Sequence, residues 1–247
     1  MDIVINYTKK EAGTFWPLKG LQTLKRCQPT FLWYNLGMPR GPRIFFENAH
    51  YHITDRGNDK RDIFIDNADR IQYLSLLEAT KRDFGLILPA FAMMTNHIHL
   101  YMVTPKANLA EAMFSLNNAY SHYFNRLHGA TGHLFEGRYK YKLIQDDKYS
   151  LALTRYIHFN PVKAGLAAKP EDYTWSSAAQ YLGKEDGFAD KGVVLDTLGD
   201  SPAASLAKYL EYMAEPIPSK LWRPFDKNRN AVLGDSNFRA AHSPHNN

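Results

Sequence analysis

The sequence predicts an α+β fold: a ferredoxin-like (βαββαβ) antiparallel sheet with helices on one face, followed by a further helix and a small helical C-terminal extension. Three observations carry this. Apolar and polar residues alternate over 49–55 and again over 97–103, the period of strands. Two longer stretches, ending before Gly85 and Gly129, carry apolar residues at helical spacing. The order of elements after residue 48 is strand, helix, strand, strand, helix, strand, helix, and its first six members are the ferredoxin-like order.

In the first strand, Tyr51 and Ile53 oppose His52 and Thr54, and Arg56-Gly57-Asn58-Asp59 forms a turn. Asp66 or Asn67 caps a helix with Ile71, Leu74, Leu77 and Glu78 at helical spacing. The apolar run 86–94 suits a buried strand, and Pro89 within it calls for an edge or a bulge. After the tight turn Thr95-Asn96, the third strand sets Ile98, Leu100 and Met102 against His97, His99, Tyr101 and Val103. Asn108 caps the second helix, whose apolar face is Leu109, Met113, Leu116, Tyr120, Tyr123 and Phe124. Residues 138–145 form the fourth strand. Asp146 or Asp147 caps a helix that Pro161 ends or kinks. Beyond it, 173–182, 203–214 and 230–240 read as short helices, 184–200 as a connection, and 242–247 as a tail.

The 247 residues divide into a segment 1–37 with scattered aromatics and no sustained period, a main domain 38–183 after a Gly/Pro cluster, and the extension 184–247. The single cysteine, Cys27, excludes an internal disulfide framework and a Cys-rich metal centre. No run is long and apolar enough for a membrane helix, and residues 1–6 lack a secretory signal, so the expected location is cytoplasmic, with no membrane partner. The net charge of +5 says little about the main domain, because most of the excess lies in residues 1–48. The histidines say more: eight of the ten lie between His50 and His158.

His97 and His99 are two apart, so a strand projects both from one face, where their imidazoles can bind one divalent ion. The same alternation also suits a half-exposed strand that binds nothing. Tyr156 and Asn160 are four apart and share a helix face. A phenol can attack a phosphodiester and form a phosphotyrosine, and an amide oxygen can meet a hard cation. Equally, Tyr156 can be a core residue and Asn160 a turn residue before Pro161. Arg138, Lys140 and Lys142 alternate with Tyr139 and Tyr141, a mixture of cations and rings that suits single-stranded nucleic acid or a lysine-protected sheet edge.

In combination these segments resemble the IS200/IS605-like single-tyrosine HUH transposases, and especially their REP-associated tyrosine transposase branch. The matching pieces stand in the family's order: Tyr51-His52-Ile53-Thr54-Asp55-Arg56-Gly57-Asn58, Asn96-His97-Ile98-His99-Leu100, Gly132-His133-Leu134-Phe135-Glu136-Gly137-Arg138-Tyr139-Lys140, Tyr156-Ile157-His158-Phe159-Asn160-Pro161-Val162-Lys163, and Asp172-Tyr173-Thr174-Trp175-Ser176-Ser177. The resemblance implies a metal-dependent enzyme that cleaves and rejoins single-stranded DNA near hairpins, as a monomer or homodimer. Tyr156 would be the nucleophile, leaving a 5′-phosphotyrosine and a free 3′-hydroxyl. His97, His99 and Asn160 would bind Mg²⁺ or Mn²⁺, and Asn58, Arg138, Tyr139, Lys140, Arg155 and His158 would contact DNA. A non-catalytic single-stranded nucleic-acid binder on the same sheet is the alternative, but it would not need His97, His99 and Tyr156 together. A replication initiator or relaxase of the wider HUH group shares the chemistry, though not the Tyr-Ile-His-Phe-Asn-Pro context.

Two departures stand out. Thr95 replaces a frequent proline before the HUH strand, and the Met-Pro-Arg start common in the family appears at Met38-Pro39-Arg40. Residues 1–37 are therefore either an extension or an upstream misreading of the start. Intact-mass measurement of the native protein decides between them, and a mass that includes Met1–Gly37 excludes the misreading.

Overall fold

The computed structural model describes residues 43–145, 148–215, 224–226 and 232–242. The expected segment 1–37, the Asp146/Asp147 cap and nearly all of the 242–247 tail lie outside them. The described elements are β1 (Ala49–Arg56), α1 (Asn67–Phe84), β2 (Ile87–Met93), β3 (His97–Thr104), α2 (Leu109–His128), β4 (Lys140–Ile144) and α3 (Lys148–Lys163). They continue with α4 (Ala178–Tyr181), α5 (Gly192–Leu195), α6 (Pro202–Ala214), β5 (Val232–Leu233) and α7 (Ser236–Ala241). None of the described helices is long and apolar enough to cross a membrane.

The sheet order is β2-β3-β1-β4-β5. Its first four strands pair antiparallel in the ferredoxin-like arrangement, as the sequence predicts. Pro89 falls at a register shift between Ile87 and Ala90, where its missing N–H costs no ladder bond. The expected 230–240 helix is corrected. Val232 and Leu233 instead form a fifth strand parallel to β4, which makes the sheet mixed, and the helix begins only at Ser236. Gln145 fixes this addition: its N–H donates to the Leu233 carbonyl at 2.7 Å, and its side chain bridges to both the N–H and the carboxylate of Asp235.

Asp66 caps α1 by accepting from the Asp69 N–H at 3.0 Å, and Gly85 ends the helix with φ 64°. Asn108 differs from expectation. Its side chain does not cap α2 but donates to the Phe84 carbonyl at 2.9 Å, tying the start of α2 to the end of α1. The shorter expected helix at 173–182 is confined to α4, and the 184–200 connection contains the short α5.

Two apolar layers enclose the sheet. On one face, Tyr51, Ile53, Ile98, Leu100 and Met102 pack with Leu77, Met113, Leu116 and Tyr120 of α1 and α2. On the other, Ala90, Ala92, Tyr101, Val103 and Ile144 pack with Leu153, Tyr156 and Ile157 of α3 and Tyr209 of α6. β3 is therefore buried on both faces rather than half exposed, save for His97. The motifs end near residue 183, but the packing does not, since the described residues from Arg43 onward belong to one compact unit.

The outer edge of β2 is occupied as well. Segment 173–190 runs beside it, with Leu88, Phe91 and Met93 donating to Asp190, Ser177 and Trp175, and their carbonyls accepting from Asp190, Ser177 and Tyr173.

The turn after β1 is tightly folded. Asp59 and Lys60 take positive φ (52° and 60°), and a side chain at Gly57 would overlap the Arg61 carbonyl oxygen. Gly57→Ala forces this turn apart, so we expect a loss of about 1–3 kcal/mol, measured as a lower urea midpoint at unchanged slope. An unchanged midpoint contradicts the close approach.

Candidate active site

β3 turns Ile98 into the α1/α2 layer and sets His97 and His99 side by side on the opposite face, with ring centroids 5.0 Å apart. β1 adds His52 and Thr54 to the same face. The register puts Thr54 opposite His99, and His52 Nε2 lies 3.0 Å from His99 Nδ1. His97 Nδ1 lies 2.7 Å from Asn96 Oδ1. Both metal-candidate histidines thus have Nδ1 engaged by a neighbour, the kind of partner that fixes ring orientation and turns Nε2 outward for a ligand. From β4, Lys142 stands opposite His52 and Lys140 opposite Thr54.

α3 crosses this polar patch. Tyr156, 3% exposed, places its ring edge-on to both His52 and His99 at 5.5 and 5.6 Å. Asn160 lies one turn on, and its Nδ2 donates to the Tyr156 carbonyl at 2.6 Å, which keeps Oδ1 as its acceptor end. Pro161 does not end the helix at Asn160, which runs one further turn to Lys163. The Tyr156 hydroxyl donates to Asp226 Oδ1 at 2.8 Å, and Lys163 Nζ lies 3.1 Å from the other carboxylate oxygen. The Phe225 ring packs on Tyr156 at 5.1 Å, and the Phe225 carbonyl accepts from Lys142 Nζ.

Apart from Asn96, Ile98, Pro161 and Lys163, these side chains line a pocket of about 420 Å³ that also includes Arg56 and Tyr141. Burial pushes the His52 imidazole down to about 3 and His97 to about 4, and holds His99 well below the usual histidine range. All three are therefore neutral near pH 7, the state in which imidazole binds metal. Burial, reinforced by Asp226, holds the Tyr156 phenol above its ordinary value, so little phenolate exists unaided. Burial lowers Lys142 to about 8. Among the described residues no three His, Cys, Asp or Glu side chains form a metal-binding group. A cation here would rest on His97, His99 and the Asn160 amide oxygen, a mixed nitrogen and oxygen set suited to a divalent ion.

The remaining candidates separate. Lys140 lines the pocket, whereas Asn58 and Arg138 are exposed near it in sequence but outside its lining. The Asn58 turn is bonded to the 133–134 segment through Asn58 N–H to the Leu134 carbonyl and Arg61 to the His133 carbonyl. Tyr139 is 6% exposed beneath the Arg43 guanidinium, 4.2 Å from its ring. Arg155 and His158 are not at the pocket. Arg155, 1% exposed, donates to the Glu215 carbonyl and lies over the Tyr212 ring. His158 bridges Tyr209 Oη at 2.9 Å and Ser177 Oγ at 2.8 Å. Both sit on the helix faces turned toward the C-terminal helices, where they anchor α3 rather than meet a ligand.

The pocket contains residues that sequence reasoning did not assign to the site: His52, Phe225 and Asp226, and it draws in Lys142 from the cationic face of β4. Lys142 carried a usable signal, since it lies two residues from Lys140 on the same strand face, whereas His52 is brought in by the pairing of β1 with β3. Phe225 and Asp226 carried none.

A four-stranded antiparallel core with a tyrosine helix over paired histidines defines a ferredoxin-like domain built around a polar pocket. Residues 45–160 match the family model described as "Transposase IS200 like". Among solved structures, the chain is similar to a REP-associated tyrosine transposase bound to a REP hairpin, at 18% identity and TM-score 0.51, over 60% of this chain and 87% of that one. It is also similar to a putative transposase from Deinococcus radiodurans, at 15% identity and TM-score 0.34, over 53% and 98%. A comparison with curated proteins finds no match.

The buried histidines set a pH dependence for the metal-free protein. His52, His97, His99 and His158 have native values far below 6.5, so the unfolded chain binds their protons first, and stability falls as pH drops from about 6.5 toward 4. Asp55, raised by burial to about 7, acts oppositely over 7 to 4. Four groups against one predict a lower melting temperature at pH 5 than at pH 7. An equal or higher value at pH 5 contradicts neutral burial of these histidines.

Proposed function

We propose that the chain is a single-tyrosine HUH transposase of the REP-associated branch. In this reading it cleaves and rejoins single-stranded DNA near hairpins through a covalent 5′-phosphotyrosine, acting in the cytoplasm. The observation that carries the reading is the convergence of Tyr156 on His99 and His52, at ring distances of 5.6 and 5.5 Å, with Asn160 one turn away. A binder would not need a buried phenol aimed at a pair of neutral imidazoles.

His97, His99 and Asn160 would hold Mg²⁺ or Mn²⁺. When bound, such an ion supplies positive charge to the scissile phosphate. The chain's own groups do the rest. Lys140 and Lys142, which line the pocket, offer ammonium groups to phosphate oxygens. The phenol oxygen bonds to phosphorus and the bond to the 3′ oxygen breaks, leaving the 5′ side on Tyr156 and a free 3′-hydroxyl. The phosphotyrosine keeps the energy of the broken bond, so a 3′-hydroxyl can reverse the step without a nucleotide cofactor. Arg138 and the Asn58 turn are exposed and extend the contact surface toward a hairpin.

Incubation with labelled hairpin-bearing single-stranded DNA and Mg²⁺ or Mn²⁺ should give a denaturant-resistant adduct, and Tyr156→Phe should abolish it while retaining DNA binding. An adduct that survives Tyr156→Phe removes Tyr156 as nucleophile. Tight hairpin binding with no adduct across a broad panel supports the non-catalytic binder.

A further inference from the structure

We propose that Asp226 is a further catalytic residue, the base that takes the Tyr156 proton as the phenol attacks. This rests on the reading of Tyr156 as nucleophile. Asp226 Oδ1 accepts from the Tyr156 hydroxyl at 2.8 Å, within the reach a general base requires. Among the described residues that line the pocket, Asp226 is the one carboxylate. The other lining groups are worse acceptors. His52 and His99 are bonded to each other, His97 is turned to Asn96, Lys142 is a donor, and Asn160 is an amide. A phenol that bonds to phosphorus must shed its proton, and the carboxylate already holding that proton is the acceptor in place.

The carboxylate is positioned from two sides. Lys163 holds its second oxygen at 3.1 Å and offsets its charge beside a phosphodiester. Phe225, 4% exposed, is wedged against Tyr156 and His52, with its carbonyl tied to Lys142. The Asp226 side chain is 40% exposed, so an acquired proton has a path to water.

The step balances. The phenol O–H bond breaks and its proton goes to Asp226, the phenol oxygen bonds to phosphorus, and the departing 3′ oxygen takes a proton from water. In reversal, a 3′-hydroxyl attacks the phosphotyrosine, its proton goes to water, and Asp226 returns its proton to the phenol oxygen.

The test measures adduct formation at saturating hairpin DNA with Mn²⁺, alongside hairpin affinity. Asp226→Asn keeps the shape of the side chain and should slow adduct formation by about 10²-fold or more, with affinity unchanged or tighter because a negative charge has left the phosphate site. Asp226→Glu should recover much of the rate. An Asp226→Asn rate equal to wild type overturns the assignment, and a faster one shows instead that residues 224–226 act as a cover. Absence of an adduct from the wild-type protein overturns the nucleophile reading, and this assignment with it.

Discussion

The docking of α3 on the second face of the sheet is the contact on which the candidate site depends. Ala90 and Ala92 present small side chains there, so Leu153 and Ile157 can approach β2 and β3 closely. The helix is also held from behind, through His158 to Ser177 and Tyr209 and through Arg155 to the end of α6. A phenol delivered this way has little freedom, and its position relative to His52 and His99 is set by apolar packing rather than by a ligand. The polar residues cluster where the apolar contact ends, toward the His97 end of β3.

Most of the architecture was legible from periodicity. Strands β1 and β3 announced themselves by alternation, α1 and α2 by spacing and terminal glycines, and β2 by an apolar run whose one proline sits at its irregularity. What failed was local. Val232-Leu233 is too short to show a period, and it becomes a strand only because β4 offers an edge and Gln145 pins the register. Asn108 looks like a cap in sequence, but the neighbouring end of α1 supplies a competing acceptor. The double-sided burial of β3 follows from α3, whose placement no window of the β3 sequence contains.

The same division holds for the pocket. Residues on one element at short spacing, His97 with His99 and Tyr156 with Asn160, could be paired by strand and helix geometry alone. His52 required the β1–β3 register, and Lys142 the β1–β4 register. Phe225 and Asp226 arrive from about 70 residues beyond Tyr156, and only the folded chain brings them in. Arg155 and His158 err in the other direction. One and two residues from Tyr156, a helix turns their side chains about 100° and about 200° away from it, and here both directions lead into the interior.

The edge of β2 carries one more consequence. In many sheet proteins a terminal strand is where two copies zip together, because its unpaired amides and carbonyls form a template. Here segment 173–190 consumes those groups at Leu88, Phe91 and Met93, and β5 lies along β4 at the other end. Along the β2 margin the chain acts as its own neighbour, and a second molecule could extend the sheet there only if the chain first surrendered that edge. On the other side the margin passes from β4 to the two residues of β5.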